Sequence, residues 1–368
     1  PISCFTCGPT VWLQDNVNNK LEWNDALSQA KSLVREGKIL AVKGIGGYAL
    51  MCDATNDEAV SRLRQRKHRP DKPFALMVAD VATASSLVDL SPQHVELISA
   101  PSRPIIVLPK KPQARISEGV APGLKDLGIM LPSSPLHHLL VESGQVWVAT
   151  SANISGDPIC YRDEDAVAKM GSIADAFVMN NRVIHVPVED SVLLAQGNGT
   201  IPIRRSRGFA PLPVKINPGG EKVLAVGGEL KNTFALTRDG KIFVSAHIGD
   251  MGSLATQLAF DRSVEQMMSA HRTKPDLIVA DLHPDYSTTA WAERFSLAQG
   301  IPLLRVQHHH AHALSLLAEH GLLGEEAYVV VCDGTGYGLD GTIWGGEFLH
   351  LHGAEFDRMW HLPTFLLP

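Results

Sequence analysis

Four histidines fall within five residues at His308-His309-His310-Ala311-His312. His308 and His312 are four apart, so a helix would set both imidazoles on one face at metal-ligand distance. No Glu follows the first of them, which separates the pattern from the metalloprotease signature. Downstream, Tyr328-Val329-Val330-Val331-Cys332 reads as a buried strand. It ends at Asp333, which is placed to be a third, oxygen ligand. Gly334 and Gly336 beyond it can admit a phosphate, and Trp344-Gly345-Gly346-Glu347 closes the next strand. Imidazole with carboxylate leaves iron, zinc and magnesium all open.

A different chemistry is suggested by Arg66-Lys67-His68-Arg69-Pro70-Asp71-Lys72-Pro73, which holds four Lys and Arg in seven residues. Pro70 and Pro73 end the preceding helix and make the cations part of a rigid loop ahead of a strand, Phe74–Val78. Such a cluster suits a polyphosphate, with Arg as a bidentate fork and Lys as a point charge. A solvated basic helix end, favoured by the macrodipole, has the same composition. A second cationic concentration, Arg204-Arg205-Ser206-Arg207, ends a hairpin-like stretch that Ser191 precedes. It reads as another anion-binding cluster, with Ser191, Arg205 and Arg207 as phosphate contacts.

Three further turns follow strands. Val146–Ala149 runs into Thr150-Ser151-Ala152-Asn153, small polar side chains of the kind that hold nucleotides at strand ends in open α/β sheets. A plain polar turn uses the same residues. Ile39–Val42 runs into Lys43-Gly44-Ile45-Gly46-Gly47, where glycines let backbone N–H groups approach a ligand. Val223–Val226 runs into Gly227-Gly228-Glu229-Leu230-Lys231-Asn232-Thr233, whose Lys231, Asn232 and Thr233 can hold a phosphate. At the start, Cys4-x-x-Cys7 is half of a zinc knuckle, which needs two more ligands. Either the pair is accidental, or the chain is cut from a longer protein with the other ligands upstream.

The elements that must position these residues alternate helix and strand, as in an α/β or α+β fold. Asn24 can cap a helix carrying Leu27, Ala30, Leu33 and Val34, closed by Gly37. Asn56 starts the helix that delivers the basic loop. Three prolines and two glycines between Pro211 and Gly220 read as a linker. Leu254, Leu258, Val264, Met267 and Met268 mark a long helix with a core-facing stripe. With 368 residues, two or three domains are expected. The net charge of −6 argues against a general nucleic-acid surface, so any anion site is local. No apolar run reaches membrane-span length. Five cysteines without a framework point to a reducing cytoplasm.

Lys67-x-Arg69 with Lys72 downstream, followed by Ser151-x-Asn153 after a strand, resembles the Lys/Arg/Ser/Asn tetrad of the YrdC domain, and residues from about 25 to 210 resemble that domain throughout. The resemblance implies ATP-dependent adenylation of a carbamoyl-type carboxylate with Lys67, Arg69, Ser151 and Asn153 as catalytic residues, Mg2+ accompanying the ATP. Gly128-Ile129-Met130-Leu131-Pro132 departs from the Gly-Val-Arg of tRNA-modifying relatives. The second half resembles the start of the actin-like (ASKHA) domain of threonylcarbamoyltransferases, in which a His-x-x-x-His pair binds metal. The ordered set of motifs, with Gly228-Glu229-Leu230-Lys231-Asn232-Thr233-Phe234, is similar to the HypF family. That family implies a carbamoyltransferase of [NiFe] hydrogenase maturation, using carbamoyl phosphate or carbamate and ATP, with HypE as carbamoyl acceptor and zinc at the knuckle. It also implies an acylphosphatase domain upstream and a further carboxylate ligand downstream. The expected division is a knuckle remnant over 1–20, a YrdC-like domain over 21–213, a linker over 214–222 and part of the actin-like domain over 223–368. The alternatives are a threonylcarbamoyl-AMP synthase joined to its transferase, and an RNA-binding module using the two basic clusters.

Overall fold

Runs such as Ile39–Val42 and Val146–Ala149 are apolar at every position, not at alternate ones, and a strand of that kind must be covered on both faces. The computed structural model describes residues 7–16, 19–154, 156–197, 199–214 and 219–364. It divides into two compact units, 1–210 and 211–368. In the first, Ile39, Ala41, Leu50 and Leu76 enter one core, while Leu40, Val42, Met51 and Met77 enter the other. Consecutive residues therefore point to opposite sides of one central sheet. The helix Trp23–Arg35 covers one side with Ala26, Ala30 and Val34. The helix Asp57–Lys67 covers the other with Ala59, Val60 and Leu63.

Eleven strands form this mixed sheet. Its centre runs Ala75–Val78, Val146–Ser151, Tyr48–Asp53, Leu40–Lys43, Ala176–Asn180. Beyond Ala75–Val78 lie Asp126–Met130, Ile105–Pro109, Val192–Gln196 and Gly199–Arg204; beyond Ala176–Asn180 lie Val11–Asp15 and Lys20–Glu22. Val11–Asp15 pairs antiparallel with Ala176–Asn180 and buries Val11 and Leu13. Residues 11–15, expected in a knuckle remnant, are thus integral to the main sheet. The helix expected to be capped by Asn24 begins two residues earlier than that cap implies, at Trp23, and Glu22 occupies its N-cap without a side-chain bond.

The second unit holds a six-stranded sheet in the order Pro213–Val214, Lys241–Val244, Ala235–Arg238, Val223–Ala225, Leu277–Asp281, Leu303–Val306. Pro213 and Val214 pair with Phe243 and Ile242, so they belong to this unit and not to the end of the first. Residues 215–218 of the expected linker lie outside the described ones. Helices Leu254–His271 and Ser287–Gln299 bring Phe260, Val264 and Ala292 against Leu224, Leu236 and Ile278. Leu254 and Leu258, expected in the core stripe, are exposed; Val264 is buried as expected, and Phe260 packs in place of the two leucines. A separate antiparallel sheet, Ala327–Tyr337, Ile343–His352 and Glu355–His361, packs against the helix His308–Glu319 through Ala313, Leu317, Val329, Val331 and Leu349. No helix among the described residues is long and apolar enough to cross a membrane.

Candidate functional site

The helix Asp57–Lys67 starts at Asn56, whose side chain accepts from Ala59 N. It stops because His68 turns into the left-handed region at φ 51°, two residues before Pro70. Lys67 is therefore the last helical residue and not part of the proline-stiffened loop. It is 3% exposed. Its ammonium donates to Ser151 O at 2.7 Å, Asn153 O at 2.6 Å and Asn153 Oδ1 at 2.9 Å, which uses all three of its protons. Ser151 Oγ donates to the same Asn153 Oδ1 at 2.8 Å. Burial first, and then the charge of Arg69, push the Lys67 pKa down to about 8. Arg69 donates to Pro73 O at 2.8 Å and lies over the Phe74 ring. Arg64, which lies outside the tetrad, ties the loop down through Arg69 O and Pro70 O. Lys72 is exposed at its edge.

Several expected phosphate contacts are committed to protein partners. Lys43 is buried, 2.6 Å from Asp163 Oδ1 and bonded to Asn180 O. Arg207 reaches Asp190, Ser102 O and Arg103 O with its guanidinium. Ser191 is buried, donating to Arg207 O and accepting from Ser206 N. Arg204 Nη1 stands 2.6 Å from Glu189 Oε2. Arg205 is partly buried, and burial lowers its pKa. The second cationic cluster is thus largely answered by Glu189 and Asp190. The glycines after Lys43 also serve the protein itself: a Cβ on Gly46 would strike Val188, and one on Gly47 would strike Ile159.

Behind that turn lies His137, 4% exposed, with Nδ1 3.3 Å from Ser133 Oγ and no partner for Nε2. Burial pushes its pKa down to about 4. Sequence reasoning gave no signal for it.

In the second unit, Gln307 caps the helix His308–Glu319 by accepting from His310 N. One turn then brings His312 Nε2 to 3.2 Å from His308 Nε2. Asp333 Oδ2 lies 3.0 Å from His308 Nε2 and 3.9 Å from His312 Nε2. His308, His312 and Asp333 each bring one donor atom within 4.8 Å of the others. Asp333 Oδ2 is buried with no hydrogen-bond donor aligned on it. An orphaned carboxylate oxygen facing two imidazole nitrogens is the arrangement a divalent cation would satisfy, so the residues fit a metal.

Asp281, at the end of its strand, holds His308 Nδ1 at 2.6 Å. That bond, opposed by burial, raises the His308 pKa. A carboxylate on the far nitrogen fixes the ring so that Nε2 faces the ligand cluster. The sequence reading missed Asp281 because its partner is 27 residues away. His309 turns inward instead, with Nε2 3.1 Å from Gly345 O and Nδ1 3.1 Å from Gln307 Nε2. His310 is buried against Phe356. Tyr286 stacks on His283, and burial with Asp281 and Asp333 nearby raises its pKa.

The remaining expected contacts divide. Gly334 has open space around it, whereas Gly336 is required by packing, since a Cβ there would sit 2.7 Å from His309 Nδ1. Gly346 packs on Leu362. Asn232 is buried and pins the Gly227-Gly228 turn by donating to Val226 O and Gly228 O. Lys231 is exposed, its N–H bonded to Asp250, and Thr233 is half-buried, its carbonyl against Gly227. Cys7 is exposed, and Cys4 lies outside the described residues.

Three family models match in chain order. The Sua5/yciO/yrdC model, described as "Telomere recombination", covers residues 32–206. "HypF Kae1-like domain" covers 218–319, and "Carbamoyltransferase, Kae1-like Domain, second subdomain" covers 329–368. Carbamoyltransferase HypF of Synechocystis is 42% identical over 348 residues, which is 94% of this chain and 45% of that protein. A crystal structure of T. kodakarensis HypF superposes with a TM-score of 0.92 at 40% identity, covering 98% of this chain and 47% of that one. Another, of full-length HypF in a phosphate- and nucleotide-bound form, gives 0.91 at 38% identity, covering 99% of this chain and 47% of that one. The chain spans about half the length of the curated relatives it matches, and over that span it belongs to the HypF family.

Proposed function

We propose that this chain carries the adenylating unit and the first part of the transfer unit of an ATP-dependent carbamoyltransferase acting in [NiFe] hydrogenase maturation. The observation that carries the reading is the convergence of Lys67, Ser151 and Asn153 from a helix end and a strand end onto one set of bonds. In the first step a carbamate oxygen attacks the α-phosphorus of ATP, the bond to the β-phosphate oxygen breaks, and pyrophosphate leaves. Lys67 and Arg69 offset the charge that builds on the phosphates, while Ser151 and Asn153 orient oxygens. Mg2+ accompanies the ATP. In the second step a thiolate, that of the C-terminal Cys of HypE, attacks the carbamoyl carbon and AMP leaves. A divalent ion at His308, His312 and Asp333 would supply fixed positive charge for the oxygens of the adenylate. Asp281 orients His308, and Gln307 fixes the helix that carries both imidazoles. Of the expected borders at 20/21, 213/214 and 222/223, only the last is kept as a proposal, since residues 11–15 are part of the first sheet and Pro213 and Val214 pair within the second.

The test is ATP–pyrophosphate exchange by this chain with carbamate or carbamoyl phosphate, and separately with threonine plus bicarbonate. Exchange that requires the carbamoyl donor and ignores threonine is expected. Exchange driven by threonine would overturn the reading in favour of threonylcarbamoyl-AMP synthesis.

A further inference from the structure

Outside the site already described, a second set of imidazoles and carboxylates lies on the three-stranded sheet. His350 and His352 are two apart on one strand and so project from one face. The antiparallel register sets Asp357 opposite His350. His350, His352 and Asp357 each bring one donor atom within 4.8 Å of the other two. His352 Nε2 is 3.1 Å from Asp357 Oδ2, and His350 Nδ1 is 3.9 Å from the same oxygen. The opposite nitrogen of His350, Nε2, is held by Glu326 at 2.7 Å, and Tyr328 stacks on the ring.

We propose that His350, His352 and Asp357 form a second divalent-metal site, for a first-row ion such as zinc, with Glu326 orienting His350. Three observations support it. Donors arranged tetrahedrally around zinc stand about 3.3 Å apart, and the two distances to Asp357 bracket that spacing. A carboxylate on the far nitrogen of a ligating imidazole is the arrangement that fixes ring orientation at metal sites, and Glu326–His350 repeats the relation of Asp281 to His308. The ion pairs of Glu326 and Asp357 among the described residues run only to these imidazoles. The neighbouring cation, Arg358, instead pairs with Glu347 and Asp340. His352 and Asp357 are 40% and 65% exposed, which leaves room for water to complete the coordination. Such an ion would join two neighbouring strands by side chains, and it lies outside the proposed reaction.

The experiment is zinc stoichiometry on the full chain, stripped with chelator and dialysed against Zn2+ alone. His352→Gln and Asp357→Asn are each expected to bind one zinc fewer than the wild type, while ATP–pyrophosphate exchange stays unchanged. Glu326→Gln is expected to keep the ion with affinity weakened 10- to 100-fold. His308→Ala should lose a different equivalent, so that combining it with His352→Gln loses two. Both His352 and Asp357 are surface positions, and a zinc-dependent rise in the unfolding midpoint that shrinks in both variants gives an independent reading. Wild-type stoichiometry and an undiminished midpoint rise in His352→Gln and Asp357→Asn would overturn the proposal and leave a hydrogen-bonded surface network.

Discussion

Lys67 is the side chain whose setting most constrains the proposed chemistry. Its pKa near 8 lies below the usual Lys value, so the ammonium loses its charge as pH rises through about 8. If that charge offsets the phosphates, kcat/KM for ATP, which reports the free enzyme, falls about tenfold per pH unit above that point. Lys67→Arg should abolish this alkaline fall, because a guanidinium keeps its proton. A profile equally steep in the Arg variant would remove Lys67 from the role. Asp281 makes a second residue-scale case. Asp281→Asn is expected to weaken metal binding at His308 and His312 by about 10- to 100-fold, measured by titration, while the fold persists. Lys67, Ser151 and Asn153 were legible in the sequence because each sits at the end of a strongly patterned element. Asp281 and His137 were not, since the first is defined by a partner 27 residues away and the second by its burial in the fold. For Arg204 and Arg207 the charge is visible in the sequence, whereas its pairing with Glu189 and Asp190 is a matter of geometry.

At the scale of elements, His308 and His312 depend on how closely the following sheet approaches their helix. Gly336 lets the strand Ala327–Tyr337 lie against His308 and His309. Gly336→Ala would place a methyl 3.0 Å from His308 Cβ, tighter than ordinary packing. We expect it to cost about 1–3 kcal/mol in stability and to lower metal affinity by at least about tenfold, read by thermal unfolding and metal titration. Gly334→Ala, which meets nothing within 4 Å, should leave metal affinity intact and serves as the control. The helix-to-strand alternation was readable from apolar periodicity. The first turn of Trp23–Arg35 was not, because Asn24 is a favourable cap by type and yet sits inside the helix.

For the whole molecule, the two-sided sheet of the first unit makes buried polar groups sensitive to acid. His137 takes up its proton only near pH 4 in the folded chain, against about 6.5 when unfolded. Between those values the unfolded chain binds more protons. The stability His137 contributes is therefore present above pH 6.5 and lost as pH falls toward 4, by roughly 3 kcal/mol at one pKa unit per about 1.4 kcal/mol. Urea unfolding at pH 7 and pH 4.5 should show this loss in the wild type and a smaller one in His137→Gln. The order in which the chain is made gives the His308 cluster a further property. Asp281 leaves the ribosome first, then both imidazoles, and Asp333 last. A nascent chain shorter than that has two nitrogens and no carboxylate facing them, so at the proposed site a divalent ion would be held tightly only once the strand Ala327–Tyr337 has emerged, and bound metal would then mark a chain that has assembled this part of itself.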